Sequence, residues 1–313
     1  MTTIKAVRIH AYGGPEQLVY EDAPKPEPAA DELLVRVHAA SINPVDWKVR
    51  QGYLKDFIPY QLPMIPGWDV SGVVEAVGSA VTDFNVGDEI YSRPDITRDG
   101  SYAEYMVLRA SEAAHKPTSV DHAHAAAVPL AGITSWHALF EAGKLEAGQR
   151  VLIHAAAGGV GTLAVQLAKW KGAHVVGTAS ARNREFLQQL GVDEVIDYTS
   201  TKFEAVVRDI DVVFDTIGDD TQERSWQVLK PGGILVSIIS PPSQETADQH
   251  GVRQAYVFIE PNAAWLTEIA GLIDAGKVKP IVETVLPLSE ARQAHELSQS
   301  GHTRGKIVLQ VVE

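Results

Sequence analysis

Residues 151–180, VLIHAAAGGVGTLAVQLAKWKGAHVVGTAS, limit the possible folds more than any other stretch of the chain. A short apolar run leads into a turn of small residues: Ala155, Ala156, Ala157, Gly158, Gly159, Val160 and Gly161. Residues 161–171 then carry apolar side chains at helical spacing, and a second apolar run ends at Ala179. A strand that returns parallel to its predecessor needs a crossover, usually a helix. The pattern therefore predicts a βαβ unit. Small residues let the backbone approach a pyrophosphate closely, and the helix from Val160 aims free N–H groups and a positive dipole end at it. Ala155 stands where an early glycine is usual, and Gly161 reads as the residue that lets the helix pack on the strand. A tight turn without a ligand shares the local pattern. The strand before it, the helix after it and a second strand at the expected offset favour the dinucleotide.

The end of the second strand bears on which dinucleotide. A site for NAD usually places Asp or Glu about 20 residues on, against the ribose 2′-hydroxyl. Here that region reads Thr178-Ala-Ser180-Ala-Arg182-Asn-Arg184, with no acid. A hydroxyl and two guanidiniums suit a 2′-phosphate, because arginine offers charged, fork-like hydrogen bonds. NADPH is the expected cofactor. The competing reading is that both arginines solvate a helix start.

Further apolar runs, DEVID, DVVFDTIG and GGILVSIIS, follow, most of them separated by helix-like segments such as 183–190. Strands alternating with helices predict a doubly wound parallel sheet. Residues 255–261, AYVFIEP, read as its edge strand. Residues 4–110 differ: short runs such as LLVRVHAA and VSGVVEAVG are punctuated by Pro and Gly, the pattern of a β-rich, partly barrel-like domain. The expected division is residues 1–120 for the β-rich domain, completed by 263–313, and 121–262 for the dinucleotide domain. The length of 313 residues allows two sizeable cores.

Net charge is −13 and no Lys/Arg cluster is visible, which argues against a nucleic-acid partner. No run approaches the ~18 apolar residues of a membrane span, and residues 1–10 lack a signal-peptide core, so a cytoplasmic location is expected. There is no cysteine, which removes disulfides, thiolate metal sites and a cysteine nucleophile.

Over nearly its whole length the chain resembles the medium-chain dehydrogenase/reductase superfamily, in its zinc-independent quinone oxidoreductase branch. The carrying motifs are AASINPVDWKVRQG, MIPGWDVSGVVEAVGSAV, FNVGDEIYS, GSYAEYMVL, VPLAGITSWHAL, HAAAGGVGTLAVQLAK, DVVFDTIG and RGKIVL, in this order. The resemblance implies an α/β protein with a GroES-like catalytic domain and a Rossmann domain. It places Asn43, Trp68 and Ala131 where zinc alcohol dehydrogenases carry Cys, His and Cys, and Val45 at their hydroxyl relay position. Carbon side chains cannot ligate zinc and Asn alone is a poor ligand, so no metal is expected. His122 and His124 form H-x-H, but positions i and i+2 on a helix do not face together, and surface histidines are the simpler reading. Ser41 and His38 lack the G-x-S-x-G surroundings of a hydrolase nucleophile. Asp219 and Asp220 read as a solvated loop.

Without a metal, an electron-poor acceptor needs the least polarisation. The resemblance and the donor set converge on hydride transfer from NADPH to a quinone or to an α,β-unsaturated carbonyl, with the cofactor carrying the chemistry. The resemblance puts Asn43 beside the nicotinamide; an Asx turn ahead of Pro44 is an equal reading. Lys48 and Tyr53 are candidate donors to the acceptor oxygen, or merely wall and surface residues. Tyr60 and Trp68 are expected to wall the substrate pocket. Asp46 and Lys306 match a family pair near the phosphates. Thr134, Ile217, Ile239 and Phe258 match positions around the nicotinamide half, and Ser180, Arg184 and Tyr198 match the adenosine side, with Gly158, Gly159 and Val160 in the turn and Arg182 close by. The rival from another class is a protein that binds NADPH for sensing or structure without turnover. An apolar edge strand at 255–261 invites pairing with a second copy, so a homodimer is expected, with Val257 as a ladder residue whose replacement by Pro weakens it.

Overall fold

The computed structural model describes residues 2–312. The chain forms two units. The first runs to Leu130 and takes in Glu260–Gly276 and the chain from Pro280 on; the second is Ala131–Ile259 with Lys277–Lys279.

In chain order the first unit starts with β1 (Thr3–Ile9), β2 (Leu18–Pro24), β3 (Glu32–Ser41), α1 (Pro44–Arg50), β4 (Val70–Val77), β5 (Glu89–Ser92), β6 (Tyr105–Arg109), β7 (Ala113–His115) and α2 (His122–Ala126). The chain continues with α3 (Pro129–Trp136), β8 (Arg150–Ile153), α4 (Gly159–Lys171), β9 (His174–Ala179), α5 (Arg184–Leu190), β10 (Glu194–Asp197), α6 (Phe203–Val206), β11 (Ile210–Asp215), α7 (Asp219–Ser225), β12 (Leu229–Ser237), α8 (Gln244–His250) and β13 (Arg253–Tyr256). Then α9 (Ala263–Asp274), β14 (Val282–Pro287), α10 (Ala291–Gln299) and β15 (Lys306–Gln310) complete the first unit.

β3 organises the first unit. Its flank opposite β4 pairs with β6 near its start and with β15 near its end, antiparallel throughout. Register shifts at Leu34/Val35 and Val37/Ala39 bend it so that it can serve all three strands. Leu33, Val35 and Val37 alternate onto one face and pack with Val70, Val74, Ile90, Met106 and Leu108. The C-terminal elements are therefore integral: Leu288, Ala291, Ala294, Ile307 and Leu309 share a core with Ile9, Ile42, Val49 and Trp68. Helix α2 belongs to this unit, although the pattern change at residue 121 suggested otherwise. Its Ala126, with Ala127 beside it, packs against Ala39 and Val308.

The second unit is a parallel sheet of order β10-β9-β8-β11-β12-β13. The chain enters at β8, winds out to β10, returns to β11 and winds out to β13. Neighbouring strands β8 and β11 thus lead their connections in opposite directions, and ligands bind beyond the carboxyl ends at such a point. Leu152, Val176, Val213, Leu235 and Trp226 form its core.

The edge strand differs from its sequence reading. β13 is Arg253–Tyr256, not 255–261. An edge position tolerates polar Arg253 and Gln254 because backbone pairing, not burial, holds them. Beyond it Val257 and Ile259 turn inward while Phe258 turns out to solvent. Val257 N–H still donates to the Ser237 carbonyl at 2.9 Å within the same chain, so a proline there would break this sheet's own bond. Asp219 and Asp220 form no loop; they open α7, where acidic side chains suit the helix start, and Asp220 pairs with Arg224.

Candidate active site

The turn between β8 and α4 joins a strand end to an uncapped helix start. Gly158 occupies the N-cap of α4 and no side chain caps it, which leaves the first-turn N–H groups available. Gly159, Val160 and Gly161 form that first turn. A Cβ on Gly161 would stand 2.3 Å from the Ala155 carbonyl oxygen and 2.7 Å from the Ala156 Cα, so only glycine allows this packing. Ala155 has φ +47°, in the left-handed region that glycine adopts without strain.

Ser180 follows β9 directly and Tyr198 follows β10 directly. Arg184 opens α5. Arg182, Arg184 and Tyr198 are exposed, and Ser180 Oγ accepts from Asn183 Nδ2 at 3.3 Å. A hydroxyl and two arginines thus follow the carboxyl end of β9 within five residues.

Past the switch point the character changes. Ile217, Ile239 and Phe258 follow β11, β12 and β13 and are 48%, 36% and 54% exposed. Three large apolar side chains in solvent on one edge of a sheet mark a binding surface rather than core. Buried Asp215 sets the first of them: one carboxylate oxygen accepts from the N–H groups of Ile217 and Gly218 at 3.0 and 2.8 Å, and the other from Gln222 and Ser237. Sequence reading passed over Asp215; the signal was an acid closing an apolar strand just before a glycine, as in DTIG. Thr134 is buried on α3.

The first-unit candidates fall into two groups. Asn43, Asp46 and Lys306 are buried in a shared network. Asn43 caps α1 and its main-chain N–H donates to Asp46 Oδ2 at 2.8 Å. Its side-chain amide donates to Asp69 Oδ2 at 2.8 Å, and its side-chain oxygen accepts from Lys306. The cap is the turn ahead of Pro44, and the polar atoms of the Asn43 side chain are engaged inside the unit. The expected Asp46–Lys306 pairing is not formed. Lys306 Nζ donates to Asp69, Asn43 and the Ile42 carbonyl, while Asp46 accepts from Tyr102 Oη at 2.7 Å. The reason is position: Asp69 Oδ1 also receives the Leu130 N–H, while its Oδ2 faces Lys306 at the start of β15. Lys306 Nζ is thus committed to three acceptors, while the buried Asp46 Oδ1 has no hydrogen-bond partner. Burial pushes the Asp46 carboxyl up to about 7 against the pull of its hydrogen bonds, and burial likewise raises Asp69.

Trp68 is also corrected. It is fully buried, its Nε1 donates to the Arg98 carbonyl at 3.2 Å, and it backs Tyr60 rather than facing a ligand. Tyr60 is half-buried with an unpartnered hydroxyl, held protonated by burial. Tyr53 is largely exposed beside Trp47, and burial lowers the pKa of the half-buried Lys48. His122 stacks on His38 and bonds Ser71 while His124 pairs with Asp121, so the H-x-H side chains part company. Among the described residues no group of three His, Cys, Asp or Glu side chains could hold a metal ion, and no helix is long and apolar enough to cross a membrane.

Residues 29–118 match the alcohol dehydrogenase GroES-like domain family, and residues 190–309 match the zinc-binding dehydrogenase family. The chain is 33% identical to a chloroplast envelope quinone oxidoreductase homolog of Arabidopsis thaliana, over 97% of this chain and 98% of that protein. It is 37% identical to the NADPH-dependent alkenal/one oxidoreductase of the Arabidopsis chloroplast, over 95% of this chain and 77% of that protein. Among solved structures, the quinone oxidoreductase from Coxiella burnetii superposes with a TM-score of 0.93 at 36% identity, covering 99% of this chain and all of that one.

Proposed function

The chain belongs to the medium-chain dehydrogenase/reductase superfamily, in its quinone oxidoreductase branch, and from that premise we propose an enzyme that uses NADPH to reduce a quinone or an α,β-unsaturated carbonyl. The observation that carries this reading is the row of exposed Ile217, Ile239 and Phe258 on the same sheet edge as the uncapped glycine turn. An apolar surface continuing from an anion site is what the nicotinamide half of a dinucleotide requires.

The residues fit the cofactor. The α4 N-terminus receives the pyrophosphate, Ser180, Arg182 and Arg184 receive the 2′-phosphate, and Tyr198 borders the adenine side. NADPH, when bound, supplies the hydride. The protein supplies orientation and exclusion of water. The first unit holds the acceptor: Tyr60 lines it, and Tyr53 and Lys48 are the donors proposed to hydrogen-bond the acceptor oxygen. Asn43, Asp46 and Lys306 act from behind by fixing α1, which carries Lys48. Asn43, Trp68 and Ala131 offer no ligand set for zinc, so turnover is expected to survive exhaustive chelation. A homodimer through the β13 edge and a location in the cytoplasm belong to the same proposal; the two plant relatives carry chloroplast names.

Mixing the protein, NADPH and a panel of small quinones and enones, and following loss of reduced-nicotinamide absorbance, tests it. Turnover on either class supports the enzyme. Tight NADPH binding without turnover on any acceptor supports the rival binding protein.

A further inference from the structure

We propose that His154 is a positioning residue whose neutral ring, locked in one tautomer, holds the two halves of the dinucleotide site in register. The inference rests on the NADPH reading above. His154 sits at the end of β8, immediately before the glycine turn, and is fully buried. Its Nδ1 lies 3.2 Å from Thr178 Oγ1 and its Nε2 lies 2.9 Å from Ser225 Oγ. Thr178 is on β9, two positions before Ser180, and Ser225 ends α7, the helix that follows the Ile217 loop. One ring thus spans from the adenosine side to the nicotinamide side.

The neighbours fix the direction of each bond. Ser225 Oγ gives its proton to the Thr221 carbonyl at 2.7 Å, so it accepts from His154 Nε2–H. Thr178 Oγ1 accepts the Ala155 N–H at 3.2 Å, so its own proton goes to His154 Nδ1. The result is a single ordered chain: Ala155 N–H, Thr178 hydroxyl, His154 ring, Ser225 hydroxyl, Thr221 carbonyl. The His154 carbonyl also accepts from Thr216 Oγ1 at 2.8 Å, next to Ile217. Ala155 is the left-handed residue of the turn, so the first link of the chain holds a backbone conformation that a non-glycine residue does not favour. Ala156 N–H completes the clamp on the Thr178 carbonyl at 3.0 Å. Burial pushes the ring pKa down to about 4, which keeps the acceptor nitrogen unprotonated at neutral pH.

A ring that only filled space would be replaceable by any side chain of its size. A ring that orders the turn makes a more selective demand. The experiment measures binding of NADPH and of adenosine 2′-phosphate, which reaches only the Ser180/Arg184 end, to the wild type and to His154→Leu, His154→Asn and Thr178→Val. The expected result is about tenfold weaker NADPH for His154→Leu and Thr178→Val, the size of one lost buried hydrogen bond. Adenosine 2′-phosphate is expected to change less than twofold, and His154→Asn, which keeps an acceptor near the Nδ1 position, to recover part of the loss. In the wild type, nitrogen NMR of labelled histidine is expected to show one ring as the Nε2–H tautomer from about pH 5 to 8. NADPH affinity within twofold of wild type in folded Thr178→Val overturns the inference, and that variant decides if His154→Leu does not fold. Equal weakening of both ligands also overturns it, since that is general loosening. A wild type that binds no NADPH removes the cofactor reading itself, and this inference with it.

Discussion

Lys306 and Asp69 form a buried ion pair, Nζ to Oδ2 at 3.3 Å, with side chains 6% and 0% exposed. It joins the start of the last strand to the residue just before β4 and, through Asn43, to the cap of α1. Two buried carboxylates, Asp46 and Asp69, lie within the influence of this one ammonium. Removing it leaves charge in a low-dielectric core.

Lys306→Met is therefore expected to cost about 3–5 kcal/mol, the range for breaking one side of a buried pair. Urea unfolding of the variant and the wild type measures this. A loss below about 1 kcal/mol, the size of a surface pair, would show that the ammonium is not needed in the core.

Asp46 adds a pH dependence of definite sign. A free aspartate titrates near 3.9, while folded Asp46 keeps its proton up to about 7. Between these values the folded chain binds a proton that the unfolded chain has released. Its contribution is fully present at low pH and is lost as pH rises toward 7, by about 1.4 kcal/mol per unit. Asp46→Asn is expected to remove this slope. The check is the stability difference between wild type and variant, followed from about pH 4 to 8 across the two titrations; a difference that is constant with pH refutes it.

The glycine turn is expected to respond differently at its two ends, Ala155 and Gly161. Gly161→Ala forces a methyl against the Ala155 carbonyl oxygen and the Ala156 Cα, both backbone atoms that cannot swing aside. NADPH affinity is expected to fall at least about tenfold, since the turn must open. Ala155→Gly relieves roughly 1 kcal/mol of left-handed strain and loses a similar amount to unfolded-state freedom, so its stability is expected to stay close to wild type. Calorimetry on both variants, with and without NADPH, separates the two effects.

What the sequence reveals follows the range of the interactions involved. The βαβ unit is written in local periodicity and glycine placement, and the strands and helices stand close to where the pattern puts them. Ile217, Ile239 and Phe258 are named in the sequence only through the family resemblance, and Ser180 and Arg184 also through the missing acid after the second strand; in the fold Ser180, Ile217, Ile239 and Phe258 each come within two residues of a strand's carboxyl end. The partner of Lys306 was not legible. Asp46 and Asp69 are both acids in the first domain, and only the bend of β3 and the Leu130 N–H decide which one meets the ammonium. Trp68 was misassigned for a related reason: an aromatic in a motif carries no mark of which way it turns. His154 went unused because its role depends on Thr178 and Ser225, brought together only by the folded sheet.

Arg184 stands exposed at the first position of α5, just past the hydroxyl of Ser180. Arg184→Ala is expected to weaken NADPH by about 1–3 kcal/mol, the range for a charged hydrogen bond, and to leave NADH nearly unchanged. Titration calorimetry with each nucleotide measures it. Equal loss for both shows that Arg184 does not read the 2′-phosphate.

Assembly turns on the free side of β13. This strand ends the sheet, so one flank pairs with β12 and the other faces away from it. Val257 N–H points to β12, where it meets the Ser237 carbonyl. Successive residues of a strand point their backbone groups to opposite flanks, so the N–H of Tyr256 points outward. The proposed dimer pairs this edge with its own copy about a two-fold axis, which would join two sheets into one. Tyr256→Pro removes an outward donor and spares the bond of Val257, whereas Val257→Pro strikes the chain's own ladder. Light scattering at micromolar concentration is expected to return a dimer for the wild type and a weakened dimer for Tyr256→Pro, with circular dichroism unchanged. A monomer mass for the wild type would sink the proposal. A dimer untouched by Tyr256→Pro would move the interface away from this edge.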